Sequence, residues 1–351
     1  MHITSPNPHS TMQAIQIMQY AKNIRPILTN TNIPHIGDDE VLIKVAYAAL
    51  NPLEILVAQG SLKLLYKHTF PLTLGSECSG IIVQCGKNVH EFAQGDRICA
   101  YLPLHKMGAF AEYVALHKDY IAKIPTHLDL KGASAIALAG LSAIQSLEVA
   151  LNSTNTQNAE NLKVAILGGS GSFGQIATPI LQALGARVSI VGNARSKAYF
   201  QSLGVESYID YKTQKYYNEL KNLDCVIDTL GEVDNALMIL REGGALVSLK
   251  NLPNKAFAEH YHIGGWRKLL FSLIGGRLDT KARKQNKSYH FVFVQPHIKQ
   301  LQQVSTILEQ KHFIPRICDQ KFDLNTFTKA LQLIQNGKYD GKIVITIDDT
   351  L

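Results

Sequence analysis

The sequence of 351 residues predicts an α/β protein in which a mostly β domain precedes a doubly wound parallel-sheet domain. Three observations support this prediction. Residues 41–114 contain short β-like runs separated by turn glycines, the pattern becomes helical near Leu128, and strands alternate with helices from Lys163 onward. The chain is also too long for one ordinary hydrophobic core, so we expect two domains.

The first segment, MHITSPNPHST, is polar and lacks the apolar core of a signal peptide, so residues 1–11 are expected to form a loose extension. The composition, with 46% apolar and 18% charged residues, is typical of a soluble globular protein. No apolar run approaches the ~20 residues of a membrane-spanning helix. The five cysteines have no CxxC spacing, which favours reduced thiols and a cytoplasmic location.

Residues 1–128 are predicted to form the mostly β domain. Its strand-like runs include VLIKVAYAAL, GIIVQCG, DRICAYL and AFAEYVAL. Residues 129–294 are predicted to form the parallel-sheet domain, which begins with the helical stretch DLKGASAIALAGLSAIQSLEVAL. Residues 295–351 form a third segment, in which PHIKQLQQVSTILEQ and NTFTKALQLIQNG predict helices and FIPRI and KIVITI predict strands.

Within residues 129–294 the predicted elements alternate regularly. KVAIL, RVSIV, SYIDY, CVIDTLG and ALVSLKNL read as strands, and SYHFVFV is a candidate for a further one. FGQIATPILQALG, SKAYFQSLG and DNALMILREGG read as helices. This βαβαβ order predicts a parallel sheet with helices on both faces.

A glycine cluster follows the first of these strands. Gly169, Gly171 and Gly174 form GxGxxG, with Ser170, Ser172 and Phe173 between them. The first glycine is expected to permit the tight turn, the second to let a pyrophosphate approach the backbone, and the third to let the helix pack closely. Amides at the helix N-terminus would face the anion. The alternative is a glycine-rich turn without a ligand, but the strand–turn–helix context predicts a Rossmann-type dinucleotide site.

The end of the second strand indicates which dinucleotide is bound. An NAD site places an acid about 20 residues after the glycines, yet no Asp or Glu lies between Gly174 and Glu206. The residues there are instead Asn193, Arg195, Ser196 and Lys197, which suit a ribose 2′-phosphate. The alternative is a helix start with a solvated basic face. We predict NADPH.

With these motifs in place, the chain resembles the medium-chain dehydrogenase/reductase superfamily, especially its zinc-independent quinone oxidoreductase branch. The resemblance extends from Met12 to Ile347 and rests on NPLEILVAQG (51–60), PLTLGSECSGIIVQCG (71–86), GDRICA (95–100), GAFAEYV (108–114), AGLSAIQSL (139–147), GGSGSFG (168–174) and GKIVI (341–345). It implies a GroES-like β catalytic domain, a Rossmann-type cofactor domain and a C-terminal return to the first domain.

The resemblance also implies roles for single residues. Asn51 would orient the cofactor ribose or the substrate, although it is equally typical of a turn before Pro52. The other residues would contact the cofactor: Ser142 near its nicotinamide end, Tyr211 beside the adenosine phosphate, Thr229–Gly231 at the nicotinamide ribose, Leu249 and Phe291–Phe293 at the nicotinamide, and Lys342 at the phosphates.

The residues expected to hold zinc in related dehydrogenases are absent. Asn51 and Ser76 stand where zinc-dependent members have a cysteine and a histidine, so we predict no metal. Without a Lewis acid, the expected reaction is hydride transfer from NADPH to a quinone or another α,β-unsaturated carbonyl, which spreads the arriving charge itself. The alternatives are an NADPH-binding sensor or structural protein with little catalysis, motivated by the lack of an evident general acid, and a zinc-type alcohol dehydrogenase.

One segment departs from the short loop that the resemblance implies. Residues 255–287 contain eight Lys or Arg and two acids, so they hold +6 of the net charge of +7, and we predict no nucleic-acid binding by the protein as a whole. The segment is either a membrane-surface element or a lid or surface helix with a solvated face. We also expect a homodimer joined through the cofactor domain, near residues 245–252 or this insert.

Overall fold

The computed structural model describes Pro6, residues 10–337 and residues 339–351. Residues 1–5 and 7–9 of the predicted extension lie outside this range. The chain divides into two compact units, one formed by Met1–Leu141 with Gln295–Leu351 and the other by Ser142–Val294. We expected the first change of domain between residues 128 and 129. The division instead falls inside a helix, because the preceding residues pack against strands of the first unit.

In chain order the β-strands are β1 (Thr11–Ile17), β2 (Ile27–Asn32), β3 (Glu40–Ala49), β4 (Leu72–Thr73), β5 (Glu77–Cys85), β6 (Arg97–Tyr101), β7 (Tyr113–His117), β8 (Ile121–Lys123), β9 (Lys163–Leu167), β10 (Arg187–Gly192), β11 (Ser207–Asp210), β12 (Leu223–Asp228), β13 (Leu240–Ser248), β14 (Ser288–Phe291), β15 (Phe322–Asp323) and β16 (Val344–Thr346).

The α-helices are α1 (Pro52–Ala58), α2 (Leu130–Ala133), α3 (Ala137–Thr154), α4 (Ser172–Ala183), α5 (Lys197–Ser202), α6 (Tyr216–Glu219), α7 (Val233–Ile239), α8 (Lys255–His260), α9 (Gly265–Arg283), α10 (Ile298–Gln310) and α11 (Phe327–Asn336).

The described residues of the first unit form two sheets. One has the strand order β2-β1-β4, and the other has the order β15-β16-β3-β5-β6-β8 with β7 also paired to β3. Its core is apolar and includes the fully buried Ile43, Ile82 and Phe110. The C-terminal strand β16 runs antiparallel to β3, with Ile345 opposite Ala48, so the end of the chain completes the sheet of its first part.

The second unit is a sheet of six parallel strands in the order β11-β10-β9-β12-β13-β14. Its strand order, renumbered within the unit, is the 3-2-1-4-5-6 order of a doubly wound dinucleotide-binding fold. Residues Val164–Leu167 of the central strand β9 are completely buried, as parallel strands covered on both faces should be. The predicted α/β fold class is confirmed. Among the described residues, no helix is long and apolar enough to cross a membrane.

Three local predictions need correction. DNALMILREGG does not form one helix, because α7 ends at Ile239 and Leu240 pairs with Leu223 at the start of β13. FIPRI forms no named strand and contributes a single bridge from Ile317 to Lys342. Residues 245–248, part of the region where we expected the dimer contact, lie in an inner strand, since β14 pairs with β13 from Ala245 to Ser248.

Candidate dinucleotide site and a buried polar cluster

The turn between β9 and α4 has the geometry of an anion site. Gly171 is the N-cap of α4, is solvent-exposed, and leaves the first-turn amides without a side-chain cap or a nearby acid in that turn. A Cβ built on Gly171 would have a single neighbour within 4 Å, the Gly168 carbonyl oxygen at 3.6 Å. The protein itself therefore leaves room for a side chain here. The opening above the helix N-terminus fits a bound phosphate.

The other glycines of this turn are required by the protein. A Cβ on Gly174 would lie 1.9 Å from the Gly169 carbonyl oxygen, so only glycine allows α4 to begin this close to the turn. We predicted that Gly169 makes the tight turn, but the residue with a left-handed backbone is Gly168, at φ +74°. A Cβ on Gly168 would also lie 2.4 Å from Thr229 Oγ1. The GxGxxG motif, which begins at Gly169, therefore starts one residue after Gly168, the glycine that makes the turn.

The predicted ribose-binding residues follow β10 directly. The Asn193 backbone amide and its Nδ2 both donate to Ser170 Oγ, at 3.2 and 3.0 Å, which ties this segment to the glycine turn. Asn193 Oδ1 is buried and has no hydrogen-bond partner among the described residues. Such an unsatisfied acceptor inside the predicted site could accept a hydrogen bond from a ligand hydroxyl or amide. Ser196 is also buried, and begins α5 as its N-cap.

Arg195 and Lys197 are both exposed, and neither forms an ion pair within the part of the chain that the structure describes. Tyr211 is 54% exposed and its amide donates to the Gly192 carbonyl at 3.2 Å. The neighbouring Asp210 lies opposite Gly192 in the sheet, a proximity that the sequence spacing did not reveal. Its carboxylate already accepts from the Lys212 amide at 3.1 Å and from the Thr213 hydroxyl at 3.3 Å.

A buried acid that the sequence analysis missed organises the ends of β12 and β13. Asp228 Oδ1 accepts from the amides of Leu230 and Gly231 at 2.9 and 2.8 Å, and its Oδ2 accepts from Ser248 Oγ at 3.1 Å. Gly231 has φ +91°, so the loop needs a glycine there. The only sequence signal was an acid at the end of an apolar strand. Asp228 thus fixes the loop predicted to pass the nicotinamide ribose.

Other residues predicted for the cofactor in this unit lie near the same edge of the sheet. Leu249 follows β13 and its amide donates to the Asp228 carbonyl at 2.9 Å. Phe291 ends β14, and the Phe293 carbonyl accepts from the Tyr261 hydroxyl at 2.6 Å. Carboxyl ends of parallel strands meet at one edge, which is where such folds bind ligands. Ser142 is a buried residue of α3, and its predicted contact with the cofactor stays a prediction.

The first unit holds a separate cluster of buried polar groups around Asn51. Asn51 Nδ2 donates to Glu77 Oε1 at 2.9 Å, and its Oδ1 accepts from Lys342 Nζ at 2.6 Å. Lys342 is also ion-paired with Glu77, and both are almost completely buried. Glu77 Oε2 accepts from the Leu138 amide at 2.9 Å. The roles predicted for Asn51 and Lys342 stay predictions, and contact of Lys342 with a phosphate would require its ammonium to leave this pair.

Glu54 extends the same cluster and was not predicted. It lies in the first turn of α1, where its Oε2 accepts a hydrogen bond from the backbone amide of Asn51 at 2.7 Å as part of a capping box. The Ser76 hydroxyl donates to the other oxygen. Burial raises the pKa of the Glu54 carboxyl from 4.5 to about 7, although both hydrogen bonds act in the opposite direction.

Comparison with known proteins finds two family models that match this chain. The family model for the alcohol dehydrogenase GroES-like domain matches residues 37–126, and the model for the zinc-binding dehydrogenase matches residues 203–345. The mitochondrial NAD(P)H oxidoreductase RTN4IP1 of Danio rerio is 28% identical over 359 residues, covering 96% of this chain and 92% of the relative. The 2-methylene-furan-3-one reductase of Solanum lycopersicum is 27% identical, covering 70% and 64%.

Among solved structures, the quinone oxidoreductase from Coxiella burnetii superposes with a TM-score of 0.79 at 24% identity. The alignment covers 96% of this chain and all of that one. At this identity the superposition establishes the shared fold.

The name of the second family model raises the question of zinc, and the residues present do not fit it. Among the described residues, no three His, Cys, Asp or Glu side chains come together as a metal site. The side-chain amide of Asn51 is hydrogen-bonded to Glu77 and Lys342, and the Ser76 hydroxyl is hydrogen-bonded to Glu54. Burial also raises the pKa values of the Cys78, Cys99 and Cys225 thiols, which keeps them protonated.

Proposed function

Because the chain belongs to the medium-chain dehydrogenase/reductase superfamily, we propose that it uses NADPH to reduce a quinone or another α,β-unsaturated carbonyl without a metal ion. The family makes the protein an oxidoreductase with a nicotinamide cofactor. Within this family, we propose a preference for NADPH over NADH and a conjugated carbonyl as the acceptor.

The proposed preference for NADPH rests on two exposed cationic side chains that follow β10. Arg195 and Lys197 have no carboxylate partner among the described residues, so both are available to a phosphate. No acid lies between Gly174 and Glu206 to accept a ribose hydroxyl or to repel a 2′-phosphate. Asp210 is near, but its hydrogen bonds to Lys212 and Thr213 hold it within its own turn.

The chain would hold the cofactor through three features at the carboxyl edge of the parallel sheet. The open N-terminus of α4 would receive the pyrophosphate over Gly171, since no Cβ intervenes. The orphaned Asn193 Oδ1 would accept a hydrogen bond from the adenosine ribose. The loop fixed by Asp228 would border the nicotinamide ribose, with Leu249 and Phe291 beside it.

When bound, the cofactor supplies a hydride. The residues that would hold the cofactor contribute position and hydrogen bonds rather than a Lewis acid. A conjugated carbonyl suits such a site, because its own π-system spreads the charge that the hydride brings. The name of the Solanum lycopersicum relative specifies an acceptor of this kind, which supports the proposed substrate class.

An acceptor screen tests the proposal. Oxidation of NADPH and of NADH would be followed by stopped-flow absorbance with a small quinone, a linear enone and the matching saturated ketone. We expect turnover with the quinone or the enone, none with the saturated ketone, and kcat/KM at least about tenfold higher with NADPH. Tight NADPH binding without acceptor-dependent oxidation would favour the sensor or structural alternative. Equal rates with NADH would refute the NADPH preference.

A further inference from the structure

The outer face of α9 carries an unusual group of exposed apolar side chains. Trp266, Leu269 and Leu273 are 63%, 64% and 66% exposed. At about 100° per residue, these three side chains fall within roughly 60° of arc on one side of the helix. We call them the α9 stripe. Single exposed apolar residues need no explanation, but three large ones in a row on one helix face do.

The opposite face of α9 already anchors the helix to its own unit. Phe271, Gly275 and Ala282 are buried there. A Cβ on Gly275 would lie 2.5 Å from the Pro253 carbonyl oxygen, so the helix and the segment before α8 are in close contact. The α9 stripe is therefore a second apolar face that points away from the core. A face of this kind indicates a binding surface.

Basic side chains continue and flank the stripe. Arg277 and Lys284 lie on the same side of the helix as the stripe, one and three turns beyond Leu273, and Arg267 and Arg283 lie to either side. Arg267 stacks near the Trp266 ring, 5.9 Å from its centroid. Within the described part of the chain, these four cations form no ion pair with a carboxylate.

The acids near α9 are already engaged elsewhere. Glu259 pairs with Lys255 and Lys268, and Asp234 pairs with Lys281. Asp279, the only acid within the helix, accepts from the Asn254 side chain at 2.7 Å. The field at the outer face is therefore strongly positive, and its natural complement is an anionic surface.

We propose that the outer face of α9 docks this protein on an anionic lipid bilayer. The stripe enters the headgroup boundary with Trp266 at the interface, the position that tryptophan favours in membranes. The four cations contact lipid phosphates around it. Free phosphate would satisfy the cations but would give the stripe no apolar environment. Docking does not depend on the redox reaction, so it stands or falls separately from the proposed function.

A second copy of the chain is the main rival occupant of this face. A two-fold dimer through α9 would bring two copies of the same positively charged face together, with no acid on the helix free to pair with Arg277 or Lys284. Like charges so arranged oppose association. An anionic bilayer removes the same conflict, and for this reason we favour it.

Trp266 makes the test direct because it is the only tryptophan of the chain. The full-length protein would be sedimented with phosphatidylcholine vesicles and with vesicles that contain 30% phosphatidylglycerol as well. We expect binding to the anionic vesicles, a blue shift of Trp266 emission, and quenching by brominated acyl chains. High salt should weaken binding at least tenfold.

Two double variants separate the apolar and the charged contributions. Leu269→Ser with Leu273→Ser should lower vesicle binding at least tenfold, because two large apolar side chains no longer enter the bilayer. Arg277→Glu with Lys284→Glu should lower it at least tenfold by reversing the charge. Ile314→Ser changes a residue with a similar exposure, 68%, in the other unit and should bind as wild type does.

Lys321→Glu with Lys329→Glu provides the matching charge control, since both lysines are exposed and lie in the first unit. This variant should retain most of the binding. Equal binding to neutral and anionic vesicles, or vesicle binding that leaves Trp266 emission unchanged, would overturn the proposal. A dimer in light scattering that the Leu269→Ser, Leu273→Ser variant breaks, without vesicle binding by wild type, would assign the face to a second copy instead.

Discussion

Replacement of Gly171 by valine separates a ligand-binding role of the glycine turn from a merely structural one. Gly171 has φ −79° and ψ −179°, an extended conformation that valine adopts without strain. Its Cβ would make ordinary contact with the Gly168 carbonyl oxygen at 3.6 Å. We therefore expect the unfolding free energy without ligand to change by less than about 1 kcal/mol.

Cofactor binding should respond very differently. At a hundredfold excess over its Kd, NADPH should stabilise the wild type by about 2.7 kcal/mol, which corresponds to a rise in Tm of roughly 5–10 °C for a unit of this size. The valine side chain would occupy the space that the pyrophosphate needs, so Gly171→Val should show no such rise. Thermal unfolding of both proteins with and without NADPH measures the difference.

Gly174→Ala is the contrasting variant. Its Cβ would lie 1.9 Å from the Gly169 carbonyl oxygen, so the start of α4 must move and the Tm should fall even without ligand. A Gly171→Val protein that NADPH still stabilises by several degrees would refute the placement of the phosphate site. A large loss of Tm in ligand-free Gly171→Val would instead refute the claim that the protein leaves room at this position.

Three further predictions follow from the same structure. Arg195→Ala with Lys197→Ala should weaken NADPH binding by about tenfold or more and leave NADH binding nearly unchanged, as measured by calorimetric titration. Equal losses of affinity for both cofactors would contradict the contact of these two residues with the 2′-phosphate. Because the pKa of Glu54 is raised from 4.5 to about 7, the folded state binds the proton more tightly, and the unfolding free energy should fall by about 3 kcal/mol through this group as pH rises across that window. Urea denaturation of wild type and Glu54→Gln at pH 5, 6, 7 and 8 should therefore show a flatter pH dependence for the variant, and parallel curves would exclude a raised pKa. Light scattering at micromolar concentration should give the mass of a homodimer, and a monomer would refute the predicted assembly.

The sequence by itself determined the features that depend on short-range chemistry. Glycines set by a strand–turn–helix context, apolar runs of strand length and the absence of an acid after RVSIV all act within a few tens of residues. These features placed β9, α4 and β10 correctly. A local signal failed where two elements competed, since LREGG continues a helical pattern but forms the start of β13, where Leu240 pairs with Leu223 of β12.

Only the tertiary structure decided which distant groups meet. The pairing of Lys342 with Glu77 and Asn51 joins residues far apart in sequence, and no local pattern distinguishes a lysine bound in a buried pair from one free to meet a phosphate. Asp228 became an organiser of two loops only once β12 and β13 lay side by side. The exposure of the α9 stripe likewise depends on which face the helix buries. Because α9 has apolar residues on both sides, the buried face is decided by the close fit of Gly275 against Pro253.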